Sequence, residues 1–321
     1  MRHLFITRGI PGSGKSAFLQ SAGLDPYTLS PDTLRLAYSG PVMNDAGRIV
    51  MPYQDDRRVW QQLHELLDMR MARGEFIVVD ATHTTSSYFQ QYARLARKYR
   101  YKLYVIDFAD VPLRVCLERN RQRALHKVVD DAVLEKMHAR LSTCAIPKRY
   151  TVIQPAEVKE LIASYQQPIN LSQYEHIHHI GDIQGCYTPL REYFEQHPYV
   201  EHDYYIFTGD LLDRGTENAE VLQYVCDNFV DRPNVTFIEG NHDGYIWQWL
   251  NRQPIRAREF NGRTRAQLER ANIDKRVVSR LMNSMQDFLY YTWNDKQVFV
   301  SHAGMSNLPE SPLLLASQQY I

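Results

Sequence analysis

Gly9-Ile10-Pro11-Gly12-Ser13-Gly14-Lys15-Ser16 is the stretch on which the reading of this chain turns. It fits the spacing GxxxxGK[ST]. It follows Leu4-Phe5-Ile6-Thr7, a short apolar run that reads as a strand, and it opens a segment that reads as a helix. Glycines let backbone N–H groups curl around phosphate oxygens, and a helix N-terminus adds partial positive charge. Lys15 is placed to reach the β- and γ-phosphates of a nucleotide, and Ser16 to offer its hydroxyl to Mg²⁺.

Moving outward, strand-like and helix-like segments alternate. Val59, Leu63, Leu66, Leu67 and Met71 recur at helical spacing, and Gly74 stands just past the end. Phe76-Ile77-Val78-Val79 reads as a buried strand, followed by a helix near 86–98 and a strand at 102–108. Helices follow near 112–123 and 130–143. Repeated βα units imply a parallel sheet with helices on both faces. Pro147, Pro155 and Pro168 punctuate a transition, so the expected organisation is a domain over 1–150, a linker over 151–174 and a second domain over 175–321.

A phosphate cradle implies a nucleotide but no particular reaction. Ser30-Pro31-Asp32-Thr33-Leu34-Arg35 follows an expected strand at 27–29. Ser30 suits an N-cap, Pro31 the first helical turn, and Asp32 the positive end of the dipole. The same residues can also act chemically. Asp32 is placed as a base for an acceptor hydroxyl, and Arg35, three residues on, would hold an acceptor phosphate beside it. Arg119 and Arg123 are spaced i, i+4, which on one helix would aim both guanidiniums at a transferring phosphoryl group. Asp80 ends the strand FIVVD, where such sheets place an acid near Mg²⁺.

Together GIPGSGKS, SPDTLR, VVDATHTT, RNRQR and the helical VVDDAVLEKMHARL resemble the 5′-hydroxyl polynucleotide kinases of phage and bacterial RNA repair, over roughly residues 3–145. The resemblance implies a P-loop kinase domain with a parallel sheet, ATP and Mg²⁺ as cofactors, and Gly9, Gly12, Ser13, Gly14, Lys15, Ser16 and Asp80 around them. It makes Asp32 the base for the 5′-OH and Arg35 the grip on the adjacent phosphate. Arg119 and Arg123 become stabilisers of the donor phosphates. His83 stands where such kinases often carry Asn.

The second half repeats one device: a strand that runs into a polar turn. The turns are Gly181-Asp182-Ile183-Gln184-Gly185, Gly209-Asp210-Leu211-Leu212-Asp213-Arg214-Gly215, Gly240-Asn241-His242-Asp243 and Ser301-His302-Ala303-Gly304. Asp182, Asp210 and Asn241 lie 28 and 31 residues apart, one βα unit each, so their side chains should meet at one sheet edge. Carboxylate, amide and imidazole donors suit Mn²⁺, Fe or Zn²⁺ rather than a thiolate site. Two ions bridged by Asp210 could clamp a phosphate.

This set resembles the calcineurin-like metallophosphatase superfamily, especially its phosphoprotein phosphatase and diadenosine tetraphosphatase branch, over about 176–305. The resemblance implies a C-terminal α/β domain with Asp182, Gln184, Asp210, Asn241 and His302 around two divalent ions, Mn²⁺ or another transition metal. It makes Arg214 a phosphate binder and His242, oriented by Asp213, a general acid or oxyanion stabiliser. The first motif departs by carrying Gln184 where GDxHG has histidine, although some tetraphosphatases also read GDIQGCY. The superfamily has a further metal-binding histidine downstream, whereas none of the 17 residues after Gly304 is His. The expectation is a domain short at its C-terminus and lacking its last strands.

The chain has 321 residues, 37 Lys+Arg and 37 Asp+Glu. The zero balance excludes a uniformly basic nucleic-acid coat. Residues 1–150 nevertheless hold 23 basic against 15 acidic residues, and residues 151–321 hold 14 against 22, which points to two domains with different tasks. Residues 252–280 reverse the local sign with nine Lys/Arg against three acids, either as a solvated helical insertion or as a cap that steers polyanions. Cys116, Cys144, Cys186 and Cys226 form no CxxC pair. No apolar run approaches about 18 residues, and Arg8 interrupts any signal-like segment. The expectation is a cytoplasmic protein with no membrane partner.

A phosphate-adding domain beside a phosphate-removing one fits the healing of a broken strand. One end gains a 5′-phosphate and the other loses a 3′- or 2′,3′-cyclic phosphate. The expected partners are polynucleotide ends, RNA ahead of DNA, and a separate ligase; a homo-oligomer stays open. Two alternatives remain. One is a small-molecule kinase joined to a dinucleoside tetraphosphatase or phosphoprotein-phosphatase-like hydrolase. The other is an active kinase carrying a metal-deficient binding module.

Overall fold

The computed structural model describes residues 2–165, 167–304, 310, 311 and 313. The chain divides into two compact units with the main boundary at residues 165/166.

In the first unit, β1 (His3–Arg8) is buried along its whole length and runs into the glycine turn and α1 (Lys15–Ser21). β2 (Thr28–Leu29) leads into α2 (Pro31–Tyr38), whose N-cap Ser30 accepts a hydrogen bond from the Asp32 N–H. A small hairpin, β3 (Val42–Met43) and β4 (Ile49–Val50), precedes α3 (Asp56–Ala72) and β5 (Ile77–Val79). Then come α4 (Ser86–Tyr99), β6 (Lys102–Asp107), α5 (Leu113–Arg121) and α6 (Asp131–Thr143). β7 (Thr151–Ile153) and α7 (Pro155–Ser164) close the unit.

The sheet order is β2-β5-β1-β6-β7, with every neighbouring pair parallel. One face carries Leu63 and Leu67 of α3 and Phe89 and Tyr92 of α4 against Leu4, Ile6, Val79 and Val105. A smaller cluster joins Ile10, Cys116, Leu134 and Leu141. Because all five strands point the same way, the turns after β1, β2 and β5 share one edge, where such sheets bind ligands. The prolines of 151–174 mark no bare connection. Thr151–Ile153 pairs with β6, and Pro155 sits in the first turn of α7, whose Gln154 and Glu157 form a capping box.

In the second unit, β8 (Ile169–Asn170) is followed by β9 (Ile177–Ile180), α8 (Tyr187–Gln196), β10 (Tyr204–Phe207), α9 (Asn218–Asn228) and β11 (Val235–Phe237). Next come α10 (Asp243–Leu250), a π-helical turn (Phe260–Thr264), α11 (Arg265–Arg270) and α12 (Lys275–Ser284). β12 (Phe288–Trp293) and β13 (Lys296–Ser301) form a hairpin.

Instead of one βα sheet there are two sheets. β11-β10-β9 is parallel, and β13-β12-β8 carries the antiparallel hairpin with β8 parallel to β12. Tyr204, Ile206, Ile238, Leu289, Tyr291 and Val300 pack in one cluster that spans them. β12 did not stand out because Phe-Leu-Tyr-Tyr-Thr-Trp shows no alternation of apolar and polar residues. Its two-residue turn, Asn294-Asp295 with Asn294 at φ 52°, was the available signal.

The insertion at 252–280 is likewise not simply solvated. Phe260, Leu268, Ile273 and Val278 lie in the main core cluster. Most residues after Gly304, on which the expected shortness of this domain rested, lie outside the described ones. All four cysteines are free. Among the described residues no helix is long and apolar enough to cross a membrane.

Candidate active sites

In the first unit the glycine turn wraps as its sequence requires. Gly12 has φ 84°, and a Cβ there would strike the Cys116 carbonyl of α5, so only glycine fits. Lys15 is buried with its Nζ donating to the carbonyls of Gly9 (2.9 Å) and Ile10 (3.0 Å) and lying 3.4 Å from Ser13 Oγ. The ammonium is thus stored inside the loop. Burial pulls its pKa down, the charge of Asp80 opposes this, and Arg123 and Asp32 are close enough to act on it with opposite signs. Ser16 Oγ donates to Asp80 Oδ2 at 2.7 Å, and Thr7 Oγ1 holds the other oxygen at 2.8 Å. A hydroxyl and a carboxylate joined at the loop's end are the donors a hard Mg²⁺ takes, so these residues fit MgATP.

A second polar cluster of this unit is built on α2. Arg35 Nη1 donates to Asp32 Oδ1 at 2.5 Å, while Nε and Nη2 donate to Asp56 Oδ1 at 2.9 and 2.5 Å. Its guanidinium lies 4.9 Å from the ring centre of Tyr53. Asp56 and Tyr53 were not legible as partners, because neither belongs to a motif and both come from the segment after the β3–β4 hairpin.

Arg119 stands beside the loop, its Nη1 being 3.5 Å from where a Gly14 Cβ would sit. Arg123 differs from expectation. α5 ends at Arg121 with Gln122 as C-cap, so Arg119 and Arg123 do not share a helix face. Arg123 turns back to donate to the Lys127 carbonyl at 2.6 Å, yet remains within electrostatic reach of Lys15. His83 is fully buried at φ 45°, with Nδ1 2.5 Å from the Thr7 carbonyl and Nε2 2.9 Å from Tyr92 Oη. Burial pushes its imidazole down to about 4, which suits a structural strut between β1 and α4.

In the second unit the four motif turns meet. His302 Nε2 lies 3.1 Å from Asn241 Oδ1 and 3.6 Å from Asp210 Oδ2. Its Nδ1 lies 3.8 Å from Asp182 Oδ1 and 2.8 Å from the Thr208 carbonyl. His302 arrives from β13, hence from the second sheet and not from the parallel one. Gln184 is peripheral, its Nε2 3.5 Å from Asp182 Oδ2.

The backbone here is unusual. Asp182, Gln184, Asp210, Asp213 and Arg214 all have positive φ, a conformation that costs non-glycine residues of order 1–3 kcal/mol each and clusters at functional turns. Gly209, at φ 100°, lets the turn pass against Gly240 and His302. Two carboxylates and an amide oxygen, each within 4 Å of the His302 imidazole, are donor types that fit hard to borderline divalent ions.

Two buried carboxylates hold the turns. Asp243 accepts from the N–H groups of Gly240 (2.8 Å), Asp210 (2.9 Å) and Leu211 (3.0 Å). Burial pushes it up to about 7, opposed by those donors and reinforced by Asp210 and Glu239. Asp213, whose side chain is fully enclosed, takes His242 Nδ1 at 2.7 Å. Arg214, next in sequence, is exposed.

Another group of metal-type side chains, Glu175, His202 and Asp203, lies around the starts of β9 and β10, opposite the motif turns. There Asp203 already pairs with His176 (3.0 Å) and His178 (2.9 Å).

Residues 4–144 match the AAA domain family, and residues 175–317 match the calcineurin-like phosphoesterase family. The bis(5′-nucleosyl)-tetraphosphatase PrpE (asymmetrical) of Bacillus subtilis (strain 168) is 28% identical over 138 residues, covering 39% of this chain and 56% of that protein. The symmetrical bis(5′-nucleosyl)-tetraphosphatase of Marinomonas sp. (strain MWYL1) is 45% identical over 70 residues, covering 21% of this chain and 24% of its own length. The chain thus spans about half or less of these relatives. Among solved structures, a chain of the Pnkp1/Rnl/Hen1 RNA repair complex aligns at 16% identity with a TM-score of 0.36, over 75% of this chain and 81% of that one, a likeness too low to carry function. Strand, phosphate loop and parallel sheet in the first unit, and converging motif turns in the second, agree with the two family matches. The chain joins a P-loop kinase-like domain to a calcineurin-like phosphoesterase domain.

Proposed function

We infer that the first domain transfers the γ-phosphoryl group of ATP to a polynucleotide 5′-hydroxyl, and that the second removes a 3′- or 2′,3′-cyclic phosphate, RNA being the favoured substrate. The observation that carries this reading is the Asp32–Arg35–Asp56 array beside Lys15. A carboxylate that can take a hydroxyl proton is paired with a guanidinium that can hold a neighbouring phosphodiester. Such a pairing suits an acceptor that carries both groups. Asp32 receives the 5′-OH proton. Lys15 leaves the loop carbonyls to meet the donor phosphates, with Arg119 and Arg123 offsetting the charge that develops.

In the second domain, divalent ions held by Asp182, Asp210, Asn241 and His302, with Gln184 at the rim, would supply charge that binds the phosphate and acidifies a water. Arg214 binds the phosphate oxygens. His242, with Nδ1 held by Asp213, presents Nε2 to the leaving oxygen and donates a proton there. A separate ligase would then seal the ends. Incubating the full chain with an RNA carrying 5′-OH and 3′-phosphate ends, and reading both ends by mass, tests the pair of activities.

A second reading keeps the folds and changes the phosphatase substrate. It is favoured by the GDIQGCY turn and by the matches to bis(5′-nucleosyl)-tetraphosphatases. Comparing rates on diadenosine tetraphosphate and on a 3′-phosphorylated oligonucleotide separates the two.

A further inference from the structure

The insertion between the third and fourth motif turns reaches directly into the phosphatase site. Its helix is interrupted by the π-helical turn Phe260–Thr264, a distortion that often marks functional positions because it re-aims side chains. Phe260 and Thr264 are both fully buried. Phe260 anchors the turn in the main core cluster. Thr264 sends its Oγ1 hydrogen to Asp213 Oδ1 at 2.5 Å. The other carboxylate oxygen, Oδ2, accepts from His242 Nδ1 at 2.7 Å. A threonine within a helix can bond the carbonyl four residues back, but here its hydroxyl is directed to a buried carboxylate 51 positions away.

The same segment grips the turn that carries Asp213 and Arg214. Arg263 Nη1 donates to the carbonyls of Arg214 (2.8 Å) and Gly215 (3.2 Å), and Gln267 Nε2 donates to the Thr216 carbonyl at 2.7 Å. Gln267 Oε1 in turn accepts from Asn218 Nδ2 at 2.8 Å, and Asn218 Oδ1 accepts from the Asp213 N–H at 2.7 Å. Asp213 and Arg214 both sit at positive φ, so this turn needs such outside support to hold its shape.

We propose that Thr264 is a positioning residue for the phosphoesterase reaction: its hydroxyl fixes the Asp213 carboxylate so that Oδ2 stays on His242 Nδ1–H, which holds the ring with Nε2 turned to substrate. The proposal rests on the reading of His242 and Asp213 as the acid pair. A hydrogen bond to a charged group in a dry site is worth enough to change a rate by about 10- to 100-fold.

The test uses the full chain with Mn²⁺ and p-nitrophenyl phosphate as probe, in wild type, Thr264→Val, Thr264→Ser and His242→Ala. Thr264→Val keeps the shape and removes the hydroxyl, and kcat is expected to fall about 10- to 100-fold while KM changes less than about twofold. Thr264→Ser restores kcat to within about threefold of wild type. A readout free of metal is the imidazole Nδ1 proton of His242 in metal-depleted protein. It should be slow to exchange in wild type and Thr264→Ser and lost in Thr264→Val. Wild-type kcat and an intact proton signal in Thr264→Val overturn the proposal, as does equal loss in the valine and serine variants, which would assign the effect to packing. Full activity in His242→Ala would instead sink the underlying acid-pair reading, so the two failures are distinguishable.

Discussion

Ser16 donates its hydroxyl to Asp80 at 2.7 Å, tying the last residue of the phosphate loop to the end of β5. The contact joins two elements 64 positions apart, and it gathers the hydroxyl and carboxylate donors that Mg²⁺ prefers. Asp80→Asn should therefore weaken MgATP binding by about 10- to 100-fold, the worth of one charged ligand. Binding of ATP in excess chelator should change little. Titration calorimetry with and without Mg²⁺ measures both, and equal loss in the two conditions would place Asp80 in folding instead.

Removing His302 should disconnect the two domains' activities. His302→Ala takes away the side chain that lies within 4 Å of Asn241, Asp210 and Asp182. Mn²⁺ retained by the purified chain, counted by plasma emission, should drop together with phosphoesterase activity, while ATP-dependent labelling stays within about twofold of wild type. Mn²⁺ content unchanged in the variant would mean that the ions sit elsewhere. No bindable Mn²⁺ even in wild type would favour a domain that binds ends without hydrolysing them.

His83 gives the first domain an acid-sensitive element. Its folded pKa is pushed down to about 4 by burial from the ordinary 6.5. Between those values the unfolded chain binds a proton that the folded chain refuses, so stability rises with pH across this window. The contribution is present above pH 6.5 and lost as pH falls towards 4, amounting to about 3 kcal/mol at full extent. His3, pushed down to about 3 by burial, acts in the same direction. His83→Asn should flatten but not abolish the slope. Urea unfolding at pH 7.0 and 5.0, read by hydrogen exchange of β1 and β5 amides, checks this. An unchanged slope in the variant would reject His83 as its source.

Arg214 should act on substrate binding ahead of chemistry. It is exposed at the site while its carbonyl is held by Arg263. Arg214→Lys keeps the charge but loses the bidentate fork, and KM for a phosphomonoester should rise about tenfold. Steady-state kinetics on p-nitrophenyl phosphate measures it. A fall in kcat alone would assign Arg214 to the reaction step.

The elements with strong periodicity were legible from the residues. α3 buries Val59, Leu63, Leu67 and Met71 as its spacing implied, and Ser30 caps α2. Motif turns were legible too, since Asp182, Asp210 and Asn241 each come within 4 Å of His302. What could not be read came from distant segments. Asp56 at Arg35, Thr264 at Asp213 and Thr7 at Asp80 are single polar residues with no local pattern, and only tertiary packing brings them in. Arg119 and Arg123 show the limit of spacing, because α5 ends between them. The basic insertion shows the limit of composition: a stretch rich in arginine also carries the buried Phe260 and Thr264.

In the proposed function, Asp32 and Lys15 serve phosphoryl transfer to a polynucleotide 5′-hydroxyl. The direct measurement is transfer of labelled γ-phosphate from ATP to 5′-OH oligoribonucleotides and oligodeoxyribonucleotides of several lengths, in Mg²⁺, by wild type, Lys15→Ala and Asp32→Ala. Labelling of the wild-type reaction, falling at least about 100-fold in each variant, is the predicted result. Wild-type protein that binds ATP but labels no 5′-OH RNA or DNA of any length would contradict it.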